Sequence, residues 1–386
     1  WKYTNVEPIS SIVFQSPDGN LNPKSKDLNS FNLQESNSTR LVFLNGSFSD
    51  RFSSPSLANV GISISSLANS LQSQTTMLQK YLGQLADYST ESFTALNTAF
   101  LHDGALVHLA EGSKQDTPIH LLFLTNGQQP DIVTHPRVLV IAEKGSQATI
   151  VESYGSFHND RYFCNAVTEI FVDDNAEVNH CRLQNHASRA YQVGNTIVQL
   201  QRDSRFSSVA LDIGGSLVRN NLTVINDGEG SSCKLNGVYI TNETQHVDNQ
   251  VIIDHAKGHT SSRELYKGVL SGNSKAVFHG SIIVRPGAQK VDSRQEDRNL
   301  LLSENAEANV KPAFWINADD VKCGHGTASG RLDDDAIFYL KSRGLDENSA
   351  KKLLMRGFVK EIIDGIQYEP LKLHINDLMD YKLEHL

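Results

Sequence analysis

Four stretches decide how this chain reads: Asn165-Ala-Val-Thr-Glu-Ile-Phe-Val172, Asn195-Thr-Ile-Val-Gln-Leu200, Asn221-Leu-Thr-Val-Ile225 and Asn249-Gln-Val-Ile-Ile253. Each opens on Asn and runs into alternating apolar residues, the period-2 signature of a strand with one buried face. Their starts lie 30, 26 and 28 residues apart. A turn of small or acidic residues follows each, at Asp174-Asn175, Asp203-Ser204, Gly228-Glu-Gly230 and Lys257-Gly258, and then a second strand. An earlier unit places Lys144-Gly145-Ser146 ahead of Ala148-Thr-Ile-Val151. Two strands on a beat of about 28 residues are what a β-solenoid needs, because each coil adds one rung to each of two sheets and like residues stack about 4.8 Å apart. A sandwich also strings short strands together but has no need of a fixed beat. Units opening at Gly272, Gly287 and Glu304 come at roughly half the period, so the repeat is expected to degenerate toward its C-terminal end.

On either side of this repeat the texture changes. Residues 10–75 are rich in Ser and Asn and read as loop. Leu67, Leu71, Leu78, Leu82 and Leu85 recur at near-helical spacing, and a further helix is expected over Glu91–Leu101, before the Asp103-Gly104 turn. Beyond Arg331, Asp333 or Asp334 can cap a helix that stops at Gly344. A second helix from about Asn348 carries Leu353, Leu354, Phe358, Ile362 and Ile363 on one face, with Lys351, Lys352, Arg356 and Lys360 on or beside the other. These helices either dock on the solenoid's end or present a surface to a partner. The expected division is an N-terminal region with helical segments at 1–104, a mainly β parallel solenoid at 105–330 and a C-terminal helical domain at 331–386.

Composition narrows the function. With 35 Lys+Arg against 44 Asp+Glu the 386-residue chain carries −9, which argues against a dedicated nucleic-acid binder or a polybasic membrane patch. Only 39% of residues are hydrophobic, and the longest apolar run, Val138–Ala142, is far too short to span a bilayer. Four scattered cysteines, at 164, 181, 233 and 323, make no disulfide framework and point to a reducing compartment. Trp1 is preceded by neither Met nor a leader, so the natural start is expected upstream.

Nucleotide hydrolysis has no support, since no G-x-x-x-x-G-K-[ST] occurs, and Gly324-His-Gly326-Thr-Ala-Ser-Gly330 has the wrong second gap for a dinucleotide loop. No G-x-S-x-G marks a serine nucleophile. The suggestive cluster is Asp319-Asp320-Val-Lys-Cys323-Gly-His325-Gly326. On an extended backbone Cys323 and His325 share a face about 6.5–7 Å apart and could reach one soft metal centre, as thiolate and imidazole suit iron–sulfur or zinc chemistry. Two ligands fall short of a closed site of four, and the residues alone favour a Gly-flanked turn with an incidental Cys and His. His255 and His259 have metal-type spacing, but in a stretch that reads as strand and turn. Cys181 and Cys233 occupy different repeat offsets and read as buried structural thiols. The run containing Arg285, Asp292, Arg294, Asp297 and Arg298 reads as a solvated rung edge.

The stretch His246–Ile363 nevertheless resembles the SufB/SufD family of iron–sulfur cluster assembly proteins, in its SufD form. The likeness is carried by Asp254-His255, Ser261-Ser-Arg-Glu-Leu-Tyr-Lys-Gly-Val-Leu270, Asn299-Leu-Leu-Leu-Ser303, Lys311-Pro312, Ala318-Asp-Asp-Val-Lys-Cys-Gly-His-Gly326 and Phe338-Tyr-Leu-Lys-Ser-Arg-Gly344. Trp1-Lys-Tyr-Thr4, Leu96-Asn-Thr-Ala-Phe-Leu-His-Asp-Gly104 and Pro118-Ile-His-Leu121 extend it N-terminally. The Asp-Asp-Val-Lys-Cys-x-His-Gly block is the specific part; SufB members carry a His-Glu-Ala block there. Gly324 stands in place of a common Ser, and Thr327-Ala328 inverts the usual Ala-Thr. The resemblance implies a right-handed parallel β-helix between helical domains and a scaffold role without enzymatic activity. It further implies a complex with a SufB-like subunit and a SufC-like ATPase, the latter docked on the C-terminal helices. A transient iron–sulfur cluster would form on that complex, with no nucleotide bound by this chain. His325, with Cys323 beside it, would lend a ligand at the SufB–SufD interface. The implied setting is bacterial cytoplasm, with plastid stroma as the other. Two other readings stay open: a β-helix enzyme acting on polysaccharide, and a purely structural partner without a ligand role.

Overall fold

A computed structural model describes residues 2–17, 23–31, 33, 39–54, 61–125 and 131–386. Two ten-stranded sheets face each other and exchange the chain at every turn, forming a β-solenoid of about eight coils. Along the first sheet the main strands are Thr39–Leu44, Ile119–Leu124, Gln147–Gly155, Glu177–Asn185, Arg205–Asp212, Ser232–Thr241, Ser261–Leu270, Asp292–Leu301 and Lys322–Gly330. The second runs through Gly104–Leu109, Arg137–Ala142, Tyr162–Val172, Tyr191–Leu200, Leu217–Asn226, His246–His255, Lys275–Val284 and Glu307–Ile316. Neighbours along these paths pair in parallel.

The register explains the beat. Tyr191 pairs with Phe163, Leu217 with Tyr191 and His246 with Leu217, so each coil returns to the same column after 26 to 29 residues. Turn chemistry enforces it: Gly145, Asn175, Asp203 and Gly230 all adopt positive φ, between 55° and 76°, where Gly, Asn and Asp carry the least strain. Their amide-to-carbonyl bonds climb from coil to coil, Gly145 N–H to Asp174 and Asn175 N–H to Arg202. The repeat does not degenerate at its C-terminal end. Lys275 pairs with Glu307 and Asp292 with Lys322, full coils of 32 and 30 residues. The half-beat arises because Gly272 and Gly287 are the two turns of a single coil.

Apolar side chains from both sheets fill the interior. Phe43, Phe123 and Tyr154 stack in consecutive rungs with centroids 4.8 and 5.2 Å apart. The Ser/Asn-rich 10–75 region is not simply loop. Thr39–Leu44 extends the first sheet on Ile119–Leu124, and Ile62–Ser66 pairs antiparallel with Gly104–Leu109. Helices Leu67–Ser73, Thr75–Tyr81 and Ser92–Ala99 occupy the stretches where helical spacing was read.

Three helices, not two, follow the solenoid: Asp334–Ser342, capped by Asp333, then Glu347–Ile363 and Glu369–Glu384. The last two lie on the outer face of the first sheet rather than on the solenoid's end. Met355, Val359, Ile362, Ile363, Leu371, Ile375 and Met379 pack there against Cys181, Leu183, Leu211, Ile213, Val238, Ile240 and Val269. Leu353 is not on that buried face; it is exposed, because the buried stripe runs through 355, 359, 362 and 363. Lys267, itself buried, reaches from the sheet to donate to Phe358 O and Glu361, each at 2.8 Å.

One buried ion pair ties the N-terminal segment to the second sheet. Glu169 accepts from Arg137 at 2.5 Å and from the backbone amides of Gly83, Leu85 and Ala86 at 2.9–3.1 Å. Both charges are out of contact with water. Glu169→Ala leaves Arg137 uncompensated and three amides without acceptors, and is expected to cost about 3–5 kcal/mol in urea unfolding. A loss under about 1 kcal/mol contradicts this arrangement.

Candidate functional site at the last rung

The strand Lys322–Gly330 closes the first sheet and pairs on one side only, with Asp292–Leu301; its other edge is open. Glu307–Ile316 likewise ends the second sheet against Lys275–Val284. Lys322–Gly330 is largely exposed and Glu307–Ile316 partly so, with Trp315 63% open. Gly324-x-Gly326 lies within the first of them, so it opens no helix.

Alternation places Cys323 and His325 on the inward face of this rung. Cys323 caps the column Cys233, Ser262, Ser293, and His325 caps the column Leu235, Glu264, Gln295. Cys323 is half-buried in an apolar cluster with Ile282, Val284, Val291, Phe314 and Val321. Burial pushes its thiol pKa up, and Asp292 adds to the shift, so it rests as a neutral thiol. His325 is exposed and meets Phe314 edge-on at 4.9 Å between centroids. The pair shares one face of the strand, as the i, i+2 spacing requires. Among the described residues no three His, Cys, Asp or Glu are grouped to hold a metal ion. Asp320 is engaged by Lys290.

The other sequence candidates separate. His255 points inside, bonded to Thr260 at 2.7 Å and Ser262 at 3.1 Å, while His259 sits at positive φ in an exposed turn. Cys181 lies under the C-terminal helices and Cys233 in the interior, and burial raises both thiols to about 12. The charged run is only partly a solvated edge. Arg285 pairs with Asp254 and Arg263 with Asp292, but Asp297 is fully buried because the alternation that turns Glu296 and Arg298 outward turns it inward.

That inward face holds groups the sequence reading passed over. Tyr239 donates to Asp297 at 3.0 Å and the Asn299 amide donates at 2.6 Å. Glu264 lies buried one rung behind. Desolvation raises the Asp297 carboxyl to about 7 and holds Glu264 well above the usual carboxylate range, with Asp297 adding repulsion. Only the strict period-2 alternation through Ser293, Gln295, Asp297 and Asn299 signals these positions in the sequence.

Comparison with known families fits this architecture. The model described as "SUF system FeS cluster assembly, SufBD core domain" matches residues 123–358, and that of the SufBD protein N-terminal region matches 1–121. The chain belongs to the SufBD family. It is 34% identical to a SufBD-family iron–sulfur cluster assembly protein of Synechocystis over 380 residues, 96% of this chain and 83% of that protein. It is 29% identical to the iron–sulfur cluster assembly protein SufD of Escherichia coli, over 97% of this chain and 86% of the relative. The chloroplastic protein ABCI7 of Arabidopsis thaliana shares 31% identity over 86% of this chain and 71% of its own length. This SufBD chain is thus an iron–sulfur cluster assembly protein. Among its described residues no helix is long and apolar enough to cross a membrane.

The pKa of Asp297 has a measurable consequence. The folded protein keeps a proton that the unfolded chain releases near pH 4. The stability this confers is therefore full below pH 4 and lost as pH rises to about 7. In urea unfolding with EDTA present, Asp297→Asn is expected to gain on the unsubstituted protein by roughly 4 kcal/mol between pH 4 and 7. A difference independent of pH refutes the raised pKa.

Proposed function

We propose that this chain is a scaffold subunit of a SufBCD-type complex, without enzymatic activity of its own. It pairs end to end with a SufB-like subunit and docks a SufC-like ATPase on its C-terminal helices. The observation that carries this reading is the open last rung. Two terminal strands present unpaired backbone edges that a second solenoid can continue, and an edge left bare is an aggregation liability. The inward columns end there on Cys323 and His325, so a partner's first rung would complete the same columns.

His325, with Cys323, lends a ligand to a transient cluster shared across that interface. Two ligands of the four a closed site needs come from this side, which supports a shared site rather than a resident one. The ATPase contact is supported by the outer side of the helices, where Phe338 is 74% exposed and Tyr339 and Leu353 stand open. The basic residues nearby are already committed: Lys351 to Glu347, Arg356 to Asp380 and Lys360 to Asp364. ATP is bound and hydrolysed by the partner, and bacterial cytoplasm or plastid stroma is the setting, in line with bacterial and chloroplastic relatives.

Anaerobic cluster build-up on the purified complex tests the ligand role. His325→Ala is expected to reduce cluster absorbance several-fold while the complex still co-purifies. Build-up equal to that of the unsubstituted complex removes the ligand role.

A further inference from the structure

Behind the last rung the interior contains two side chains whose polar atoms meet nothing. Glu264 is 3% exposed and neither carboxyl oxygen has a partner; Gln295 is 1% exposed and neither amide atom has one. They are register neighbours on the inward face, and Asp297 follows Gln295 two residues on, facing the same space. On the opposite sheet Gly280 makes room for the Gln295 arm, since a Cβ there would come within 1.4 Å of Nε2. No basic side chain in the described residues pairs with Glu264 or Asp297. Arg182, in the same interior, is committed to Asp212 through two bonds of 2.8 and 3.1 Å.

Two buried carboxyl groups without a counter-charge, one with both oxygens empty, either hold protons or exchange them for a cation. The available donors are all oxygens: two carboxylates and an amide carbonyl. That set suits a small, hard divalent ion that keeps part of its water shell, and lacks the thiolate and imidazole that softer ions prefer. We propose that Glu264, Gln295 and Asp297 form an internal binding site for an oxygen-preferring divalent cation. Entry is from the open end, because Gln295 lies directly beneath the exposed His325 in the same column. The site uses neither Cys323 nor His325, so it stands apart from the interface reading.

The test is titration of the EDTA-stripped full chain with Mn²⁺ alone, reading free Mn²⁺ by electron paramagnetic resonance. One Mn²⁺ per chain is expected. Glu264→Gln and Asp297→Asn are each expected to weaken uptake by at least about tenfold. Far-ultraviolet circular dichroism without metal verifies that both near-isosteric variants are folded. No Mn²⁺ uptake by the unsubstituted chain, or undiminished uptake by folded Glu264→Gln, overturns the proposal.

Discussion

Everything in this protein depends on the coil-to-coil backbone ladder, in which each strand satisfies its donors and acceptors on the rungs before and after it. Such a ladder has no natural end. At the N-terminal side the chain caps its own sheets, with the short strand Ser47–Phe48 folding back on Thr39–Leu44 and with Ile62–Ser66 running antiparallel to Gly104–Leu109. At the C-terminal side it does not: after Gly330 the last two helices lie on the outer face of the first sheet, and among the described residues neither terminal strand gains a second partner strand. The asymmetry leaves unpaired strand edges at one end of the solenoid, where the proposed partner would sit.

The same geometry determines what lies inside. Many inward positions are apolar, but polar side chains recur along the interior: Glu152 with His180 and Thr168, then Arg182 with Asp212, and in the last coils Glu264, Gln295, Asp297 and Asn299. Polar interiors cost stability unless satisfied. Those of the last coils lie behind Cys323 and His325, the two residues whose types suit metal ligation. The low apolar fraction follows from this and from the thinness of a solenoid, whose coils each expose one face.

Much of the architecture was legible because it is local and periodic. The Asn-led strands and the turns at Gly145, Asn175, Asp203 and Gly230 recur on the beat that the register later shows. Thr39–Leu44 was not legible, since its partner Ile119–Leu124 lies some 80 residues away and its neighbours are polar. The apparent decay of the repeat came from counting both turns of one coil. The C-terminal face was misjudged at Leu353 because apolar residues lie on both sides of that helix, and only docking selects the stripe through Met355 and Val359. Of the site, the shared face of Cys323 and His325 followed from spacing alone. The buried state of Asp297 did not, because a run of charges looks solvated until the strand's facing is known.

The central claim is that the last rung is continued by another chain. Hydrogen–deuterium exchange over Lys322–Gly330, in this protein alone and in its native complex, tests it most directly. Fast exchange in the isolated chain and strong protection in the complex are predicted. Equal, fast exchange in both states contradicts the account.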